Sequence, residues 1–161
     1  MQPDTFEVWY RRTYPRLFAA MLGVCGDRDV AGEVADEAFA RAWSQWERVR
    51  EMDAPEGWTY RVALNVLRTQ ARRHRVERRL LPWLVKRDEV DAPGGEVWEL
   101  VRALPPRQRI ATVLRYVGDL DERHIARVMG VTRGSVASTL AAARRALGAA
   151  LREDDVVEER S

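Results

Sequence analysis

Between Leu80 and Gly95 the sequence stops behaving like the rest of the chain. On either side, apolar residues recur every three or four positions, the spacing that turns one stripe of a helix toward a core. Within the segment that periodicity decays. Pro82, Pro93, Gly94 and Gly95 interrupt it, and Asp88, Glu89 and Asp91 load it with negative charge. Such a stretch makes a poor element and a good tether. Strand signals are nearly absent elsewhere. The expected fold is therefore all-α: two small helical domains over residues 1–79 and 96–152, a flexible linker over 80–95, and an acidic tail over 153–161 that frays. With 161 residues, 46% of them hydrophobic, the chain has enough apolar material for two small cores. Fully extended, the linker would reach roughly 50 Å at about 3.3 Å per residue.

The spacing predicts helices over Asp4–Val24, Val30–Val49 and Trp58–Arg79, with Pro15 bending or dividing the first. Breaks fall at Cys25–Asp29 and Glu51–Gly57. On the second of these helices Val34, Ala38, Ala42 and Trp46 share one face, leaving Glu33, Asp36, Glu37 and Arg41 outside. After the linker come helices over Val97–Leu104 and Arg107–Val117, separated by Pro105 and Pro106, and then a helical pair within Leu120–Leu151.

Net charge is only +2, but it is unevenly placed. Residues 54–87 carry nine basic side chains against Glu56 and Glu77, and residues 107–152 carry nine against three acids. The acidic segment 88–106 separates them. Two basic blocks on two domains suggest two surfaces that face a polyanion; two solvated helix faces are the plainer reading.

Several classes recede. No apolar run approaches the length of a membrane span, so no membrane insertion is expected, and the acidic, aromatic N-terminus is not expected to act as a signal peptide. Cys25 is alone, which excludes an intramolecular disulfide and makes the cytoplasm the expected compartment. His74 and His124 lack a plausible metal set, and no glycine loop cradles phosphate. Neither catalysis nor a cofactor or metal is expected.

Two segments carry the function. The first is "WTYRVALNVLRTQARRHRVERR", Trp58 to Arg79, with aromatics at its start and arginines along its length.

The second is "LDERHIARVMGVTRGSVASTLAAARRALGAAL", Leu120 to Leu151. Asp121 is placed to cap a short helix with Ile125, Ala126 and Met129 inward. Gly130 falls where the chain must turn sharply, and glycine tolerates the positive φ of such turns. Thr132 is placed to cap the next helix, whose buried stripe is Val136, Leu140, Ala143 and Leu147. This is the layout of a DNA-reading helix-turn-helix, and also of an ordinary helical hairpin. In the DNA-reading case Thr132, Arg133, Ser135, Ser138 and Thr139 face the major groove, and Arg144 and Arg145 lie nearer the backbone.

With both segments in order, nearly the whole chain resembles a bacterial RNA polymerase sigma factor, sigma-70 family, of the small extracytoplasmic-function type. "ALPPRQRIATVLRYVGDLDERHIARVMGVTRGSVASTLAAARRAL" resembles that family's C-terminal domain, and "EVADEAFARAWSQW" with "APEGWTYRVALNVLRTQARRHR" resembles its N-terminal one. The resemblance implies reading of a −35 element by the former. It implies opening of a −10 element and docking on the clamp helices of the polymerase's largest subunit by the latter. Opening a duplex requires a surface that holds an extruded base, stacks on unstacked neighbours and retains phosphates. The resemblance implies that the loop Met52–Gly57 with Trp58, Tyr60, Asn65 and Thr69 serves the first two tasks and that Arg61, Arg68, Arg72, Arg73 and Arg75 hold the backbone; Trp58 equally suits a core position. By position, Glu33, Asp36, Glu37, Phe39, Arg41 and Trp43 are the polymerase-binding candidates; without the resemblance they read as a solvated face around a core stripe. It also implies an anti-sigma partner. Ala137 and Thr139 stand where the family often has basic residues, and Gly32 with Glu33 where it usually has an acid followed by Asp. A stand-alone helix-turn-helix regulator is the alternative, separated by whether the chain binds single-stranded −10 DNA.

Overall fold

A computed structural model describes residues 5–80 and 95–158 of the chain, with side chains for 5–73 and 95–152. Apart from its two ends, the expected linker with Asp88, Glu89 and Asp91 lies outside the described residues. Those residues are helical, with no strand among them: α1 (Phe6–Cys25), α2 (Arg28–Ser44), α3 (Trp46–Val49), α4 (Pro55–Leu80), α5 (Glu96–Ala103), α6 (Pro106–Tyr116), α7 (Glu122–Met129) and α8 (Arg133–Glu158).

Local chemistry sets most of the boundaries. Thr5 Oγ1 accepts from the Val8 amide at 3.4 Å and starts α1. Gly26, at φ 71°, ends it in the left-handed conformation. Pro15 sits on the exposed side of α1 and does not divide it. Asp27 caps α2 through Val30 N at 3.0 Å. The single helix expected over Val30–Val49 is two: α2 stops at Ser44, and Gln45 (φ −126°, ψ 24°) turns the chain into the one-turn α3. That turn brings the Trp46 indole against Phe6 and Trp9, at ring separations of 5.3 and 4.9 Å. α4 begins at Pro55, ahead of the expected start, because proline is preset for the first turn of a helix. α8 continues to Glu158, so part of the segment expected to fray is helical.

In the N-terminal domain Ala31, Ala35, Ala38 and Ala42 on α2 are fully buried and let α1 and α4 approach closely. Leu17 and Met21 of α1 and Ala63 and Leu64 of α4 fill the remaining space. Burying each large side chain contributes about 2 kcal/mol. An aromatic cluster closes one end, with Phe39 5.1 Å from Trp9 and 5.0 Å from Tyr10. In the C-terminal domain Val113, Leu114, Ile125, Val136 and Leu140 are buried among α6, α7 and α8.

The two domains pack on each other through one continuous core. Trp98 of α5 seats over Gly23 of α1, so tightly that a Cβ there would lie 2.8 Å from Trp98 Cζ3. Arg109 of α6 donates from Nη1 to the Val24 carbonyl at 3.2 Å and from Nη2 to the Leu104 carbonyl at 3.4 Å. Gly118 packs on the Tyr60 ring, and His124 of α7 faces Gly57 at the start of α4.

Candidate nucleic-acid interface

Helical geometry decides which residues of α4 share a face. Arg61, Asn65, Arg68 and Arg72 follow one another at intervals of three or four and are all exposed. They form a stripe about 16 Å long at 1.5 Å per residue. Thr69 and Arg73 flank it, also exposed, and Thr69 donates its hydroxyl proton back to the Asn65 carbonyl at 2.9 Å. Arg75 lies on α4 among the residues whose side chains are not described.

At the head of the stripe is a cavity of about 400 Å³ lined by Met52, Asp53, Ala54, Gly57, Trp58 and Arg61 and, from α7, by His124, Arg127 and Val128. Its volume falls in the range of sites that hold a small flat molecule. Trp58 is half-buried, one side in the cavity wall. Tyr60 is elsewhere. Residues two apart on a helix face different ways, and Tyr60 is 1% exposed, its hydroxyl buried without a hydrogen-bond partner among the described atoms. Burial pushes its pKa up. The structure therefore does not bring Tyr60 to the face that carries Trp58 and the arginines.

The polymerase-binding candidates divide similarly. Glu33, Asp36, Glu37, Arg41 and Trp43 are exposed, whereas Phe39 is 3% exposed and belongs to the core. Trp43 is the most exposed large apolar side chain among those described, at 64%, held edge-on by Phe6 at 4.8 Å. Arg41 Nε bonds Glu37 at 2.7 Å. Tyr14 Oη donates to Asp36 Oδ1 at 2.9 Å; burial and that bond push the tyrosine to about 12. Glu33, Glu37 and Arg41 share a groove of about 540 Å³ with Asn65, Thr69 and Arg73. The acidic face of α2 and the polar face of α4 thus form one continuous surface.

The helix-turn-helix is built as the sequence suggests. Asp121 Oδ1 accepts from the His124 amide at 2.8 Å, and that bond leads in lowering the carboxyl's pKa. Gly130 has φ 68°. Thr132 Oγ1 accepts from Ser135 N at 3.1 Å, starting α8. Arg133, Ser138, Arg144 and Arg145 are exposed, and Ser135 and Thr139 partly so. Ser138 Oγ donates to the Gly134 carbonyl at 3.1 Å.

Two contacts escaped the sequence reading. Arg133 Nε lies 3.7 Å from Glu122 on α7. Arg144 Nε donates to Tyr116 Oη at 2.8 Å, its guanidinium carbon 6.0 Å from the ring centre. Tyr116 falls in the last turn of α6, where periodicity alone reads as a core edge. Among the described residues no group of three His, Cys, Asp or Glu is placed to hold a metal, and no helix is long and apolar enough to cross a membrane.

Comparison with known proteins agrees with this arrangement. Residues 9–77 match the model of sigma-70 region 2, and residues 94–147 match that of sigma-70, region 4. The chain belongs to the sigma-70 family. It is a promoter-recognising sigma factor of the extracytoplasmic-function type. An RNA polymerase sigma-E factor of Streptomyces coelicolor is 27% identical over 159 residues, 96% of this chain and 88% of that protein. The sigma factor SigV of Bacillus subtilis is 25% identical over 134 residues, 81% of each. The fold is similar to that of the Bartonella quintana sigma factor RpoE, solved in complex with the anti-sigma factor NepR. That likeness has a TM-score of 0.80 at 18% identity and covers 91% of this chain and 96% of the other.

Proposed function

We propose that residues 1–79 of this sigma factor bind core polymerase and open the −10 element, and that residues 96–152 read the −35 element across the linker 80–95. The reading rests on one observation above all: the stripe Arg61, Asn65, Arg68, Arg72 begins at the cavity that Trp58 lines. An extruded base entering there would stack on the indole while the arginines hold the phosphates that follow it. Asn65, within the stripe, offers both a donor and an acceptor to a base edge.

Polymerase clamp helices would dock on Glu33, Asp36, Glu37, Arg41 and the exposed Trp43, an aromatic anchor within a charged rim. Because this face adjoins the α4 groove, bound polymerase would also border the single strand. The protein acts in the cytoplasm, where the polymerase is. An anti-sigma protein is the further partner implied by the family, and the Bartonella relative was solved with one.

His124, Arg127 and Val128 of α7 line the same cavity as Trp58. A −10 base stacking on Trp58 would therefore share that space with α7, and separating the domains would open it further.

The test is run-off transcription with sigma-free bacterial core polymerase on genomic fragments. Defined transcripts are expected, weakened by Asn65→Ala and by Arg133→Ala. Binding to duplex alone, with no affinity for core or for single-stranded −10 DNA, would instead make the chain a stand-alone regulator.

A further inference from the structure

We propose that Tyr116 is a positioning residue of the −35 interface, holding Arg144 so that its terminal nitrogens face a DNA phosphate. The inference rests on the assignment of α8 as the −35 reader and adds a residue from outside the helix-turn-helix. Tyr116 ends α6 and is 60% exposed, so it does little for the core. What it touches is Arg144: the hydroxyl takes the Nε proton at 2.8 Å, and the ring lies 6.0 Å from the guanidinium carbon. A cation beside the ring and a bond to Nε together remove rotamer freedom that DNA binding would otherwise have to remove.

The choice of atom matters. With Nε engaged, Nη1 and Nη2 form the free edge of the fork, the edge suited to two phosphate oxygens. The tyrosine accepts from arginine, so its own O–H proton remains available to the same phosphate. The tether is also neutral. Arg133 and Arg41 are each paired with a carboxylate, whereas among the described residues no carboxylate lies within ion-pair distance of Arg144. Arg144 thus has no described ion pair to give up before it meets the polyanion. Eleven residues separate it from Arg133, just over three turns, which places both on the same side of α8 about 16 Å apart. One arginine at the head of the recognition helix and one three turns on fit a base contact and a backbone contact, respectively.

The experiment uses the full chain assembled with core polymerase and a −35 duplex selected from a randomised pool. Tyr116→Phe keeps the ring and removes the hydroxyl. Expected is a loss of about 3–10-fold in affinity, equal on selected and scrambled −35 sequences, as for a phosphate contact. Arg144→Ala should lower the slope of log affinity against log salt by about 0.9. The double variant should bind no more weakly than Arg144→Ala alone, and melting curves check that each variant folds. Wild-type affinity in Tyr116→Phe, or a loss that adds in full to that of Arg144→Ala, would overturn the proposal. If Tyr116→Phe is silent while Arg133→Ala erases sequence preference, the proposal falls and the −35 assignment stands. If neither Arg133→Ala nor Arg144→Ala changes duplex binding, both fall.

Discussion

Replacing Gly23 by alanine tests whether the contact between α1 and the α5–α6 pair holds the domains together. The new methyl would lie 2.8 Å from Trp98 Cζ3, 3.2 Å from Trp98 Cη2 and 3.2 Å from Val113 Cγ2. Something must move, and the Trp98 side chain is freer to do so than Val113, which is buried on α6. Overpacking of this kind costs about 1–3 kcal/mol. Within α1 the same change is favourable by about 1 kcal/mol, because glycine is a poor residue in a helix interior. The two effects act on different equilibria. The N-terminal domain should be as stable as before or slightly more so. The contact between domains should weaken by about 1–2 kcal/mol, a roughly 5–30-fold shift toward separation. Six tryptophans make fluorine-labelled tryptophan spectra practical, with Trp98→Phe assigning one resonance. Gly23→Ala should move the Trp98 resonance toward its solvent position and raise the radius of gyration in small-angle scattering. It should also speed binding of single-stranded −10 DNA, because α7 leaves the Trp58 cavity. An unmoved Trp98 resonance with unchanged compactness would refute the reasoning and shift the domain contact to Arg109 and Tyr60.

Three further outcomes are expected. Gly130→Ala places a side chain at φ 68° with no atom within 4 Å of its Cβ, so backbone strain alone should cost about 1–2 kcal/mol, read as a lower melting temperature of the C-terminal domain. Asp121→Ala removes the α7 cap and should cost about 1 kcal/mol. Asp121's folded pKa lies below its unfolded value, so its contribution is present above the unfolded pKa and is lost as pH falls through the folded one; the cap's effect in acid melts should vanish there. Glu122→Gln frees Arg133 from its carboxylate and should raise affinity for every duplex while steepening the salt dependence; unchanged salt dependence would mean that the 3.7 Å pair does not persist in solution.

What was legible in the sequence is what a single helix decides for itself. Asp121, Gly130 and Thr132 announce the helix-turn-helix because caps and a left-handed turn are local chemistry, and the structure realises each of them. The exposed arginines of α4 were legible for the same reason, since a charged stripe needs only solvent. Tyr60 and Phe39 were not. Each sits beside surface residues in sequence, and each is buried by an element distant in the chain: Tyr60 by Gly118 of the other domain, Phe39 by Trp9, Tyr10 and Tyr14 of α1. Periodicity gives a helix one buried stripe, but α4 has two, one against α1 and α2 and one against α7, and the second exists only while the domains are together. Trp58 carries both readings for that reason: it is half-buried with α7 in place, and the proposed opening of the −10 element would use it as a stacking platform once α7 departs. On that proposal its ambiguity in the sequence follows from its serving in two arrangements of one chain.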